Sequence, residues 1–174
     1  MNKSELLSGL NDSNQRVLSW FAGIPANTFF QLEGEVWSSS DNLDHLIKSH
    51  KPIAMALKLP KFTLRAMFGL ANQPSRSYEA VCVVYKETLA SGGVASGRFL
   101  PDRQSSENPE VAKTELLNQF SKASADLALV AKKWNEEDLD GYLLPHPLIG
   151  KLTIREMLYF TIYHNLRHAS QEGD

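Results

Sequence analysis

The run Thr153-Ile154-Arg155-Glu156-Met157-Leu158-Tyr159-Phe160-Thr161-Ile162-Tyr163-His164-Asn165-Leu166-Arg167-His168 holds a helix start, a helix face and two metal-capable side chains together. Thr153 and Glu156 have the reciprocal capping-box spacing, the hydroxyl covering a free backbone N–H and the carboxylate reaching back. They open a helix that runs through about Ser170. Counting back from His168 by turns gives His164, Thr161, Met157 (or Leu158) and Ile154, the apolar stripe of the same helix. Both imidazoles therefore continue its inward face. Residues at i and i+4 stand one turn apart, so one ion can reach both rings. Burying neutral imidazoles costs free energy unless their nitrogens find partners. The competing reading is a frayed helix end with both rings in water, and spacing alone leaves the two open.

Outward from this helix the apolar spacing stays helical. Leu6, Leu7, Leu10, Val17, Leu18 and Phe21 predict a first helix from about Ser4 to Ala22, stopped by Gly23 and Pro25. Ala26 to Trp37 reads as a connection with one or two turns of its own. Ser38, Ser39 and Ser40 are all suited to cap a second helix carrying Leu43, Leu46, Ile47, Ile53, Ala54 and Leu57, with a kink or break expected about a turn before Pro52. A less regular stretch with a short helical piece follows Pro60. Ser77 to Leu89 is read as helix, although Val81-Cys82-Val83-Val84-Tyr85 is also β-branched enough for a strand. Gly92 to Asn108 is loop-like; Asn108-Pro109 then starts a long helix to about Asn135. Pro145, Pro147 and Gly150 break the chain before the last helix. The expectation is an all-α helical bundle with little or no sheet.

Composition bounds the function. At 174 residues the chain is one domain's worth, so residues 1–174 are expected to form a single domain. Lys and Arg number 18 against 20 Asp and Glu, net −2, so no basic surface points to nucleic acid or an anionic membrane. No apolar run approaches the ~20 residues of a membrane span, and Met1-Asn2-Lys3-Ser4-Glu5 does not open like a signal peptide. The lone cysteine, Cys82, lies in an apolar run that predicts burial and cannot form an internal disulfide. A cytoplasmic location is the default expectation.

Five histidines occur: His45, His50, His146, His164 and His168. A metal needs more ligands than the His164–His168 pair. On the second helix periodicity leans toward His50, in line with Leu43, Leu46, Ile47 and Ala54, whereas His45 falls at the edge of that stripe. His146, between two prolines, reads as a loop residue that hydrogen-bonds backbone and fixes the approach to the last helix. Asp41 and Asp44 are read as N-terminal helix charges facing water in preference to groups that orient a ligand ring or act as a base. Glu156 is read as a cap. Arg65, Arg76 and Arg98 are read as solvated loop charges, with the lining of an anion pocket as the alternative.

Two segments resemble the DinB-like (YfiT-like) superfamily of metal-binding four-helix bundles. One is Trp37-Ser38 followed by Asn42-Leu43-Asp44-His45-Leu46; the other is His146-Pro147-Leu148-Ile149-Gly150-Lys151-Leu152-Thr153, then Glu156, His164 and His168, with Gln171 behind. The resemblance implies a four-helix bundle with a longer irregular middle segment, enclosing a divalent metal held by His45, His164 and His168. That choice overrides the periodicity preference for His50, which is kept as the reserve ligand. Family members hold zinc, nickel or other divalent ions, and an all-imidazole set does not discriminate among them.

Three neutral histidines leave coordination positions open, as in a catalytic site. Relatives include transferases that use a low-molecular-weight thiol, isomerases that depend on one, and others labelled hydrolases. The implied activity is metal-dependent thiol transfer or hydrolysis on a small-molecule substrate, with no catalytic residue singled out beyond the ligands. The alternative is a metal-binding bundle without enzymatic activity. Relatives often form dimers, so a homodimer is a further expectation of the resemblance.

Overall fold

In the computed structural model, which describes residues 1–32, 34, 36–103 and 106–169, four long helices form the bundle. They are α1 (Lys3–Gly23), α3 (Ser39–Leu57), α6 (Pro109–Ala131) and α8 (Ile154–His168). Shorter helices α2 (Ala26–Phe29), α4 (Lys61–Phe68), α5 (Tyr78–Ala90) and α7 (Glu136–Gly141) connect or flank them. Packing runs α1 against α6 and α8, α3 against α6 and α8, with α5 on the outer side of α8. The all-α bundle expected from the apolar spacing is therefore the architecture found.

The helix starts are chemical. Asn2 and Glu5 form a capping box on α1, Ser38 and Asp41 on α3, and Thr153 and Glu156 on α8. Of the three candidate serines, Ser38 is the cap. Asn108 caps α6 with Pro109 in the first turn. The break expected before Pro52 is absent: α3 is helical without interruption from Ser39 to Leu57. Burial of Ile47, Ile53, Ala54 and Leu57 outweighs the single backbone hydrogen bond that proline removes. The long helix ends at Ala131, short of Asn135. There the Trp134 indole N–H donates to the free carbonyl of Leu57 at 3.2 Å, and Asn135 caps α7 instead.

One feature of the chain before α8 differs from the expected plain break. Leu143–His146 (β1) and Gly150–Thr153 (β2) pair antiparallel, with Leu144 opposite Leu152 and both buried. Gly150 takes the left-handed conformation (φ 78°) that closes the turn. His146 Nδ1 accepts the backbone N–H groups of Leu148 and Ile149 at 3.1 and 3.2 Å. This is the backbone role expected of His146, played from the end of a strand and not from a loop.

Two apolar clusters fill the bundle. One gathers Leu10, Ile53, Leu127 and Leu158; the other gathers Val17, Leu46, Phe120 and Ala123. Buried polar side chains Ser13, Asn14, His50, Ser124 and Asn165 come from the same four helices. The Asn165 amide N–H group donates to Ser13 Oγ and Asn14 Oδ1, joining α8 to α1. Among the described residues no helix is long and apolar enough to cross a membrane.

Candidate metal centre

His164 and His168 lie in the last turns of α8, and His45 lies in the second turn of α3. His45 and His164 are 6% and 3% exposed, and His168 is half-buried. One nitrogen from each ring falls within 4.8 Å of the other two. His45 Nε2 and His164 Nε2 are 3.0 Å apart. For comparison, metal–nitrogen bonds of ~2.0–2.1 Å in tetrahedral array separate ligand nitrogens by about 3.4 Å.

The outer nitrogens are engaged by the chain. His45 Nδ1 donates to the Phe99 carbonyl at 2.6 Å, and His168 Nδ1 donates to Asn42 Oδ1 at 2.6 Å. Asn42 cannot turn its amide round, because its N–H group already donates to the carbonyls of Trp37 (3.2 Å) and Ser38 (2.9 Å). A proton held on His45 Nδ1 leaves its Nε2 lone pair toward His164, and Asn42 fixes the orientation of the His168 ring. This is the outer support that metal-ligating histidines require. The Trp37 ring lies 4.9 Å from the His45 ring and stacks at 6.3 Å on His168, limiting both rotations.

Burial keeps His45 and His164 neutral. Burial lowers His45 below the ordinary imidazole range, against a smaller opposing effect of the Phe99 carbonyl. His164 is lowered further, first by burial and then by the neighbouring His168 and His45. Neutral imidazoles are the form that ligates a metal. The donor set, its spacing and its anchored rings all fit a divalent ion.

The Phe99 carbonyl reaches His45 because residues 97–102 are fastened to α3. Lys48 donates to the Leu100 carbonyl at 2.8 Å and pairs with Asp44 and Asp102, both at 3.0 Å. Asp44 also accepts the backbone N–H of Asp102 at 2.8 Å. Asp44 thus secures this strap, and Asp41 closes the α3 capping box. Both are buried and not turned to water as expected. Glu156 caps α8 and also binds Arg76 at 2.8 Å, so Arg76 is not a free loop charge. Cys82 is half-buried on α5, and burial pushes its thiol up. Gln171 lies outside the described residues.

His50 takes no part in the cluster. Its ring is fully buried against Phe120, Nδ1 donates to the Leu46 carbonyl at 2.8 Å, and Nε2 has no partner. Burial lowers its pKa to about 4. In the unfolded chain the same ring titrates near 6.5, so between about pH 4 and 6.5 the unfolded state binds more protons. Stability is therefore lost as pH falls through that window. With a chelator present, urea unfolding of His50→Leu is expected to lose about 2 kcal/mol less than wild type between pH 7 and pH 5. An equal loss in both proteins would contradict it.

A cavity of about 340 Å³ opens beside the cluster, with His45, His164, His146 and Arg98 in its lining. The remaining wall is mostly apolar, from Ile53, Leu59, Phe68, Leu144, Met157 and Phe160 among others. The fold and this site define a helical bundle with a three-histidine cluster at the wall of an apolar chamber. A family model described as the DinB superfamily matches residues 10–171, and the chain belongs to that superfamily. Comparison with curated proteins and with solved structures gives no match.

Proposed function

We propose that this chain is a divalent-metal-dependent enzyme, a thiol-dependent transferase or a hydrolase, acting on a small molecule at a centre held by His45, His164 and His168. The observation that carries this reading is that His45 and His164 also line the cavity. A purely structural ion would be closed off by four protein ligands, whereas three ligands beside a chamber leave room for reactants. When bound, a divalent ion such as zinc or nickel supplies Lewis acidity toward a thiol, a water or a substrate oxygen. The chain itself orients the rings of His45 and His168 through Phe99 and Asn42, and sets them beside a mostly apolar wall. Its lone cysteine, Cys82, does not line the chamber, so a thiol nucleophile would come from solution.

One observation favours a second reading, a metal-binding bundle without turnover. Among the described residues no carboxylate lines the cavity, so the wall offers no acidic general base. A panel of low-molecular-weight thiols with an electrophilic chromogenic probe, together with ester substrates, separates the two. The enzyme reading expects turnover that depends on added zinc or nickel and disappears in His45→Ala. Tight metal binding with no turnover across both panels would favour the second reading.

A further inference from the structure

His146 stands apart from the metal cluster, yet its ring lines the same cavity. Its Nδ1 is occupied as an acceptor by two backbone N–H groups, those of Leu148 and Ile149. An imidazole that accepts at Nδ1 carries its proton on Nε2. That Nε2 donates to no described residue, and it is not among the sealed polar atoms without partners. It is therefore an N–H group left open on a wall that is otherwise mostly apolar. The Phe160 ring meets His146 edge-on at 4.2 Å and stacks on His164 at 4.9 Å. The donor thus lies one aromatic ring away from the metal cluster.

We infer that the His146 Nε2–H is a recognition group for a substrate carbonyl oxygen, and that the cavity takes small, largely apolar carbonyl compounds. This rests on the proposed use of the cavity as a substrate chamber. The chemistry selects the class. A carbonyl oxygen is satisfied by donors alone, whereas a hydroxyl would also need an acceptor for its own proton. A carboxylate would be drawn to the Arg98 guanidinium in the same lining, a charge-assisted pairing that a neutral N–H cannot rival, so the group left for His146 is an uncharged acceptor. Burial keeps the ring uncharged, lowering its pKa to about 4, so the donor is in place throughout the neutral range.

The test uses metal-stripped protein, so that its outcome does not depend on the ion. Binding of 4-phenyl-2-butanone and of butylbenzene, its carbonyl-free analogue, is followed by NMR titration of wild type and His146→Asn. Asparagine can still accept from the backbone two residues on, as in an Asx turn, but is too short to present a donor where Nε2 stands. The substitution is expected to weaken the ketone about five- to ten-fold and to move the hydrocarbon less than two-fold. A long-range nitrogen–proton spectrum of wild type is expected to show His146 protonated at Nε2, with that resonance shifting on addition of ketone and not of hydrocarbon. The inference is overturned if wild type binds neither probe, or if the ketone is unaffected by the substitution. A resonance showing the Nδ1–H form, or one indifferent to ketone, overturns it independently of how the variant folds. None of these failures touches the metal assignment, which the metal measurements below address alone.

Discussion

His164→Ala is expected to abolish stoichiometric metal binding. His164 is the middle of the cluster: its Nε2 lies 3.0 Å from that of His45, and His168 follows one turn later on the same helix. Removing it leaves two rings from different helices, each anchored by its own outer hydrogen bond and neither able to swing inward to compensate. Loss of an outer support alone typically weakens metal affinity 10–100-fold, so loss of a ligand should exceed that range. Competition against a chromophoric chelator should rank the proteins. Wild type and His50→Ala should bind alike, Asn42→Leu about 10–100-fold more weakly, and His164→Ala beyond detection. Unchanged metal content in His164→Ala would remove the assignment, and loss in His50→Ala would point to the reserve ligand instead.

Metal removal is expected to lower thermal stability by a comparably large step. An ion held by His45 on α3 and by His164 and His168 on α8 finds its full ligand set only in the folded arrangement, because His45 lies 119 positions before His164 in the chain. Free metal at 1,000 times its dissociation constant stabilises the fold by about 4 kcal/mol. For a chain of this size each kcal/mol is worth roughly 2–4 °C, so chelation should lower Tm by roughly 8–16 °C. Calorimetry with and without chelator measures it. His164→Ala should melt near the stripped wild type and ignore the chelator. A wild-type Tm that does not move on chelation would mean that no ion ties α3 to α8.

Much of the architecture was legible from local chemistry. The Thr153–Glu156 pair and the stripe ending in His164 and His168 fix the last helix without any tertiary information. The choice between His45 and His50 was not legible from periodicity. Five helical residues separate the two rings by about 140° around the axis, yet both are buried, because α3 packs against α6 on one side and α8 on the other. A broad buried face cannot say which neighbour a ring meets. His50 meets Phe120 on α6, and His45 meets His164 on α8; the family resemblance, not the stripe, pointed to His45.

The outer anchors were less visible still. The Phe99 carbonyl is backbone and leaves no side-chain signature, and Asn42 looks like any polar residue in a first helical turn. The β1–β2 hairpin was missed because four-residue strands are too short for alternation to register. His146 gave a partial signal: its placement between prolines indicated backbone bonding at one nitrogen, but not the cavity at the other.

The most direct measurement of the central claim is X-ray absorption at the metal edge of protein loaded with one equivalent of zinc. Three imidazole nitrogens in the first coordination sphere are expected, falling to two in His45→Ala if that variant retains any ion. A first sphere with fewer than three histidines in wild type, or one unchanged in His45→Ala, would contradict it.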